Sequence, residues 1–167
     1  KKALLITAGG ENVAPQLIEG MLRNIPGVSQ AVVIGDRRKY LAALLTLDGE
    51  RAKQVAAGAG IRAGSAAELS DSREFRGLLE ARIEEMNKEL ARVQTVKKFV
   101  ILPADFSVDG GELTPTLKLK RRIINEKYKA ANGILQSGNP SSPKVGDLKI
   151  KFNVVKQQEV SVVANTM

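Results

Sequence analysis

Apolar residues recur along this chain with two different periods, and where one gives way to the other marks out the elements. Leu4-Leu5-Ile6-Thr7 predicts a short strand that Ala8-Gly9-Gly10 breaks, because glycine permits backbone angles closed to other residues. Pro15 suits a first helical position, and Leu17, Ile18, Met21, Leu22 and Ile25 follow at helical spacing until Pro26-Gly27. Two apolar runs, Gln30 to Ile34 and Tyr40 to Leu47, flank the polar segment Gly35-Asp36-Arg37-Arg38-Lys39 and predict paired, antiparallel strands. Glu50 to Ala57 predicts a short helix and the Gly/Ala-rich stretch 58–67 a loop. A longer helix is expected from Asp71, with Asp71 and Glu74 at capping-box spacing and an apolar stripe of Leu79, Ile83, Met86, Leu90 and Val93. Val96 to Leu102 reads as a strand, 103–117 as a loop and Lys118 to Ala131 as a helix.

These elements predict an α+β domain over residues 1–135: a small, mostly antiparallel sheet flanked by helices, after a short N-terminal β segment. Residues 136–167 read as a linker and tail. Gln136 to Pro143 is rich in Ser, Gly, Asn and Pro. Beyond it, Ile150, Phe152 and Val154 alternate with polar residues, and Val160 to Val163 could complete a β-hairpin. Two strands alone are rarely stable in water, so the tail adds to the domain's sheet, pairs with another chain or stays partly disordered.

Composition narrows the chemistry. The chain of 167 residues has neither cysteine nor histidine. Disulfides, thiolate metal sites, the usual zinc ligands, the usual general base and a Ser-His-Asp triad are therefore excluded. Any catalytic role falls to lysine, arginine, carboxylates, hydroxyls or backbone amides. The formal charge of +8 favours anionic partners such as nucleotides, coenzymes, nucleic acid or acidic lipid. No apolar run approaches the ~20 residues that span a bilayer. The sequence opens without methionine, directly in a strand-like segment, and reads as part of a longer protein.

Two segments carry candidate chemistry. Thr7-Ala8-Gly9-Gly10-Glu11-Asn12 could offer open backbone amides to a ligand, although a tight strand-to-helix turn would look the same. In Gly111 to Arg122, a turn-forming approach delivers Lys118 ahead of a basic helix. A lysine on a loop is a movable point charge suited to phosphate or carboxylate. Cations near a helix N-terminus cost ~0.3–1 kcal/mol, so Lys118, Lys120, Arg121 and Arg122 together suggest an anion that offsets them, against the plainer reading of a solvated basic face.

Taken together these segments resemble the C-terminal domain of acyl-CoA synthetases in the adenylate-forming superfamily, closest to long-chain fatty-acid ligases of the bubblegum type. The resemblance rests on Lys2 to Glu19, which ends Pro15-Gln16-Leu17-Ile18-Glu19; on Asn87 to Arg92 with Val96 to Leu102; and on Asp109 to Tyr128. It covers roughly residues 1 to 135.

The resemblance implies a two-step ligase. A fatty acid reacts with ATP and Mg²⁺ to give an acyl-adenylate, and coenzyme A then displaces AMP to form a thioester. It assigns Lys118 to the first step, where an ammonium offsets repulsion between a carboxylate and the α-phosphate. It assigns Ala8, Gly9 and Gly10 to the passage for coenzyme A, and Lys2 to the hinge about which the domain swings. The wider superfamily commonly has glycine before the lysine; Leu117 stands there in this chain and implies a stiffer loop. Glu19 reads as an anchor between helix and loop. Arg37, Arg38, Lys97 and Lys98 are candidates for coenzyme A phosphates, with solvated surface as the default. The implied partner is the protein's own N-terminal domain, which would hold ATP, Mg²⁺ and the fatty acid, so the segment alone should be inactive. A cytoplasmic location is expected, with peripheral membrane contact left open. The alternative is a basic nucleic-acid-binding module, against which stands an aromatic content of only 4%.

Overall fold

The break expected at Ala8–Gly10 reverses the chain between two short antiparallel strands, β1 (Leu5–Ile6) and β2 (Asn12–Val13), in the computed structural model, which describes residues 3–137 and 152–155. Helix α1 (Pro15–Arg23) starts on its proline and buries Ile18 and Leu22. Strands β3 (Val28–Ile34) and β4 (Leu41–Leu47) pair antiparallel, with Ile34 opposite Ala42. Helices α2 (Gly49–Gly58), α3 (Ala66–Ser70) and α4 (Arg73–Asn87) then carry the chain to β5 (Val96–Ile101), which lies parallel to β4. A parallel partner needs such a crossover, and the helices supply it. Helices α5 (Arg121–Lys127) and α6 (Lys129–Leu135) follow, and β6 (Phe152–Val154) joins the free edge of β5 antiparallel. The sheet order is β3-β4-β5-β6, and two of its three pairings are antiparallel.

Every residue of β4 is buried, because helices cover both faces of the sheet. Alternation divides its side chains. Leu41, Ala43 and Leu45 join Val33, Phe99, Ile18, Leu22, Phe75, Leu79 and Ile83 in one core beneath α1 and α4. Ala42 and Leu44 join Val32, Ile34, Val100, Phe106, Ile124 and Leu135 in a second core beneath α5 and α6. Truncating a side chain as buried as Leu44 would cost ~2–5 kcal/mol.

Several local expectations need correction. The cap of α4 is Ser72 rather than Asp71: the Ser72 hydroxyl accepts from the Phe75 N–H at 3.2 Å, which lets Phe75 enter the core. The stripe runs past the helix. Helix α4 ends at Asn87, whose buried amide clasps Val96 by donating to its carbonyl at 2.8 Å and accepting from its N–H at 2.9 Å. Leu90 and Val93 pack on the core from the connecting turn. The loop expected over 58–67 ends in the first residues of α3, which Ser65 caps. The helix expected from Lys118 to Ala131 starts only at Arg121 and breaks at Tyr128, where Lys127 pairs with Glu112 and the Tyr128 ring packs 6.2 Å from Phe106. In the tail, Phe152–Val154 extends the sheet; the second strand considered at 160–163 lies outside the described residues.

Candidate functional site

Lys118 stands exposed at the end of a tight turn whose base is fixed. Leu113 and Leu119 bridge antiparallel, and the Lys120 N–H donates to the Glu112 carbonyl at 2.8 Å. Within that frame the Thr114 N–H donates to the Lys118 carbonyl at 2.8 Å, and the Thr114 hydroxyl accepts from the Lys118 N–H at 2.9 Å. The Leu117 N–H closes the turn on the Thr114 carbonyl at 2.7 Å. Leu117 itself sits at φ 64°, in the left-handed region that costs a residue with a Cβ ~1–2 kcal/mol. A glycine there would carry no such cost, so the leucine restricts the turn that presents Lys118. Among the described residues the Lys118 ammonium has no ion-pair partner.

Glu112 is the footing of this turn. It is buried, its carboxylate accepts from the Ser107 N–H at 2.9 Å, and it pairs with the Lys127 ammonium. Burial works to raise its pKa, but the hydrogen bonds from Lys127 and Ser107 outweigh it and hold the carboxyl below its ordinary range. The same hydrogen bond raises the pKa of Lys127.

The glycine segment is a second turn, closed by the Thr7 N–H to the Glu11 carbonyl at 2.9 Å and the Gly10 N–H to the Thr7 carbonyl at 2.9 Å. Gly10 has φ +83°, and Ala8, Gly9 and Gly10 are all exposed. The turn rests on the β3–β4 connection: the Ala8 N–H donates to the Arg38 carbonyl at 2.9 Å, and the Arg37 N–H donates to the Ile6 carbonyl at 2.7 Å. Its amides are therefore only partly open, since those of Ala8 and Gly10 are taken. Lys2 lies outside the described residues.

The two turns are tied through the helices that follow them. Glu19 of α1, 1% exposed, receives both arms of the Arg121 guanidinium from the first turn of α5 and also accepts from the Val33 N–H at 2.8 Å. For Arg121, then, the anion that offsets a cation at a helix start is internal. Lys118 lies before the helix and has no such partner among the described residues. Of the four other basic candidates, Lys98 is buried with its ammonium 5.0 Å from the Tyr40 ring centroid, which withdraws it from any ligand. Among the described residues no group of three or more His, Cys, Asp or Glu side chains could hold a metal ion. No helix of the described residues is long and apolar enough to cross a membrane.

Sequence reasoning missed the Glu19–Arg121 pair because nothing local signals a contact across that separation. It also missed the gathering of Lys39, Arg92 and Lys97 around one cavity.

Residues 2–131 match the family described as AMP-binding enzyme C-terminal domain. The chain is 40% identical over 134 residues to the long-chain-fatty-acid–CoA ligase FadD15 of Mycobacterium tuberculosis, covering 77% of this chain and 22% of that protein. It is 39% identical over 154 residues to the human long-chain-fatty-acid–CoA ligase ACSBG1, covering 81% of this chain and 21% of that protein. The chain thus spans about a fifth of the length of these relatives. Among solved structures, the adenylation domain of a carboxylate reductase from Mycobacterium chelonae superposes with TM-score 0.64 at 25% identity, over 80% of this chain and 19% of that one. The didomain of carboxylic acid reductase from Segniliparus rugosus, in complex with AMP, superposes with TM-score 0.65 at 22% identity over 81% of this chain and 17% of that one, which shows the shared fold. These likenesses lend the nucleic-acid-binding alternative no support.

Proposed function

The chain belongs to the AMP-binding enzyme C-terminal domain family, and on that premise we propose that it is the mobile lid of an ATP-dependent long-chain fatty-acid–CoA ligase. The observation that carries this reading is the exposed ammonium of Lys118, without an ion-pair partner among the described residues, on a turn whose base is held by Glu112, Leu113 and Leu119. In the first step a carboxylate oxygen of the fatty acid attacks the α-phosphorus of ATP, and the bond to pyrophosphate breaks. Both reactants are anions, so a positioned cation lowers the energy of bringing them together and stabilises the charge on the transferring group. In the second step the thiol of coenzyme A attacks the acyl carbon, the thiol proton is lost and AMP leaves. The turn Ala8-Gly9-Gly10, without bulk at Gly9 and Gly10, suits the passage of the thin thiol arm. Lys2 would be the hinge between the two arrangements. ATP with its Mg²⁺, and the fatty acid, would be held chiefly by a larger N-terminal domain, which is this chain's partner.

Residues 1–167 alone should convert no fatty acid, ATP and coenzyme A to acyl-CoA, AMP and pyrophosphate. A full-length ligase carrying this domain should convert all three. Turnover by the isolated chain, or none by the full-length protein with any long-chain acid, would contradict the reading.

A further inference from the structure

A single carboxylate ties the loop between β5 and the lysine turn to the far end of the sheet. The Ser29 hydroxyl donates to Asp105 Oδ2 at 2.6 Å, the Thr46 hydroxyl donates to Asp105 Oδ1 at 2.6 Å, and the Phe106 N–H donates to the same Oδ1 at 2.7 Å. Ser29 lies in β3 and Thr46 in β4, so Asp105 engages both strands at once. The pairing of these strands shifts register between Val28 and Ala31, the stretch that holds Ser29 and Gln30. Such a bulge disrupts the ladder locally. Here the Gln30 N–H goes to the Thr46 hydroxyl, which accepts it at 3.0 Å. That hydroxyl still has its own proton to give, and Asp105 receives it. Thr46 is 0% exposed, so water does not compete for the bond.

From Asp105 the constraint passes to the lysine turn through the next two residues. Phe106 is buried in the core beneath α5 and α6. The Ser107 N–H donates to the Glu112 carboxylate at 2.9 Å, and the Ser107 carbonyl accepts from the Leu113 N–H at 3.2 Å. The Ser107 hydroxyl accepts from the Gly110 N–H at 2.8 Å, which closes the loop on itself. Glu112 and Leu113 are the base of the turn that presents Lys118. Sheet, Asp105, Ser107 and turn base are thus joined in series. Asp105 itself is exposed, so shortening it leaves both cores untouched.

We infer that Asp105 is a positioning residue for Lys118: by pinning Phe106 and Ser107 to β3 and β4, its carboxylate sets where the Glu112 footing stands and so where the ammonium is carried. A cation stabilises a transferring phosphoryl group only from the right place, and a displacement of about 1 Å caused far from the chemistry can cost about 10²-fold in rate. The effect on adenylation rests on the functional reading above, whereas the placement of the turn by Asp105 does not.

The test measures both half-reactions in a full-length ligase carrying this domain, as Asp105→Ala, Asp105→Asn, Lys118→Ala and the double variant Asp105→Ala/Lys118→Ala. In Asp105→Ala the kcat of ATP–pyrophosphate exchange should fall about 10–100-fold with KM little changed, while thioester formation from supplied acyl-adenylate stays near the wild type. Asparagine keeps an oxygen for Thr46 and Phe106 and offers its amide to the Ser29 hydroxyl, so Asp105→Asn should stay within about threefold of the wild type. Asp105 works through Lys118, so its removal should cost nothing further once Lys118 is gone, whereas a general loss of structure would add to the first loss. Additive losses, an equal loss in both half-reactions or full exchange activity in Asp105→Ala overturns the proposal. Should Lys118→Ala itself leave exchange intact, the functional reading falls, and amide NMR of the 167-residue chain decides the placement. Altered order parameters at Thr114, Leu117 and Lys118 in Asp105→Ala, restored in Asp105→Asn, would uphold it, and values equal to the wild type's would overturn it.

Discussion

Glu19 and Arg121, 102 residues apart in sequence, form a two-pronged ion pair that joins the helix after the glycine turn to the helix after the lysine turn. The carboxylate is buried and also accepts from the Val33 N–H, so the pair fixes both helices to β3. Whatever moves this domain moves the two turns together.

Removing Arg121 would leave the Glu19 carboxylate buried without its partner. Arg121→Ala should therefore destabilise the domain by about 3–5 kcal/mol, read as a fall in the urea midpoint. Arg121→Lys should recover only part of this, because an ammonium cannot reproduce the fork. A midpoint unchanged in Arg121→Ala would show that the pair contributes nothing.

The Glu112–Lys127 pair should make stability fall at both pH extremes. The Glu112 pKa is depressed in the folded state, so its contribution is present above the ordinary carboxylate range and is lost as pH falls through the depressed value. The Lys127 pKa is raised, so its contribution is present below the ordinary lysine range and is lost as pH climbs through the raised value. Urea midpoints of the wild type and Glu112→Gln should differ by a constant amount near neutrality and converge below about pH 4. A gap that persists on acidification would contradict this account.

The glycine turn separates backbone need from ligand need. Gly10 sits at φ +83° with open space around its missing Cβ, so Gly10→Ala should cost about 1 kcal/mol through the backbone alone. A Cβ at Gly9 would meet the Glu11 side-chain oxygen at 3.3 Å, which can swing away, and the Thr7 hydroxyl at 3.8 Å, an ordinary contact, so Gly9→Ala should change stability by less than about 0.5 kcal/mol. In the ligase, Gly9→Ala should nevertheless slow thioester formation from supplied acyl-adenylate more than it slows adenylation. Equal effects on the two half-reactions would remove the turn from the thiol's path.

Leu117 at φ 64° sets a further expectation. Leu117→Gly relieves the left-handed strain but adds freedom to the unfolded chain, so net stability should change by less than about 1 kcal/mol. The backbone at Lys118 should become more mobile, measurable as a lower amide order parameter. An order parameter equal to the wild type's would show that Leu117 does not restrict the turn.

Much of the fold was legible because its signals are local. The runs around Gly35–Lys39 gave the β3–β4 pair, and Pro15 marked the start of α1. The choice of Ser72 over the adjacent Asp71 was not, since either residue can cap and the burial of Phe75 decides between them. The break at Tyr128 carries no proline or glycine; its neighbours are engaged by Glu112 and Phe106, both distant in sequence. Of the candidate site, the exposed positions of Lys118 and of the glycine turn could be read from turn-forming residues. The Arg121 partner of Glu19 and the cavity around Lys97 depend on elements that meet only when the sheet is assembled.

The central claim is that the Lys118 ammonium serves adenylation and not thioester formation, and the direct measurement is the rate of each half-reaction in a full-length ligase carrying Lys118→Ala. ATP–pyrophosphate exchange with a long-chain acid should fall by about 10²–10³-fold, while thioester formation from supplied acyl-adenylate should stay within a few-fold of the wild type. An equal loss in both half-reactions, or unimpaired exchange, would contradict the account.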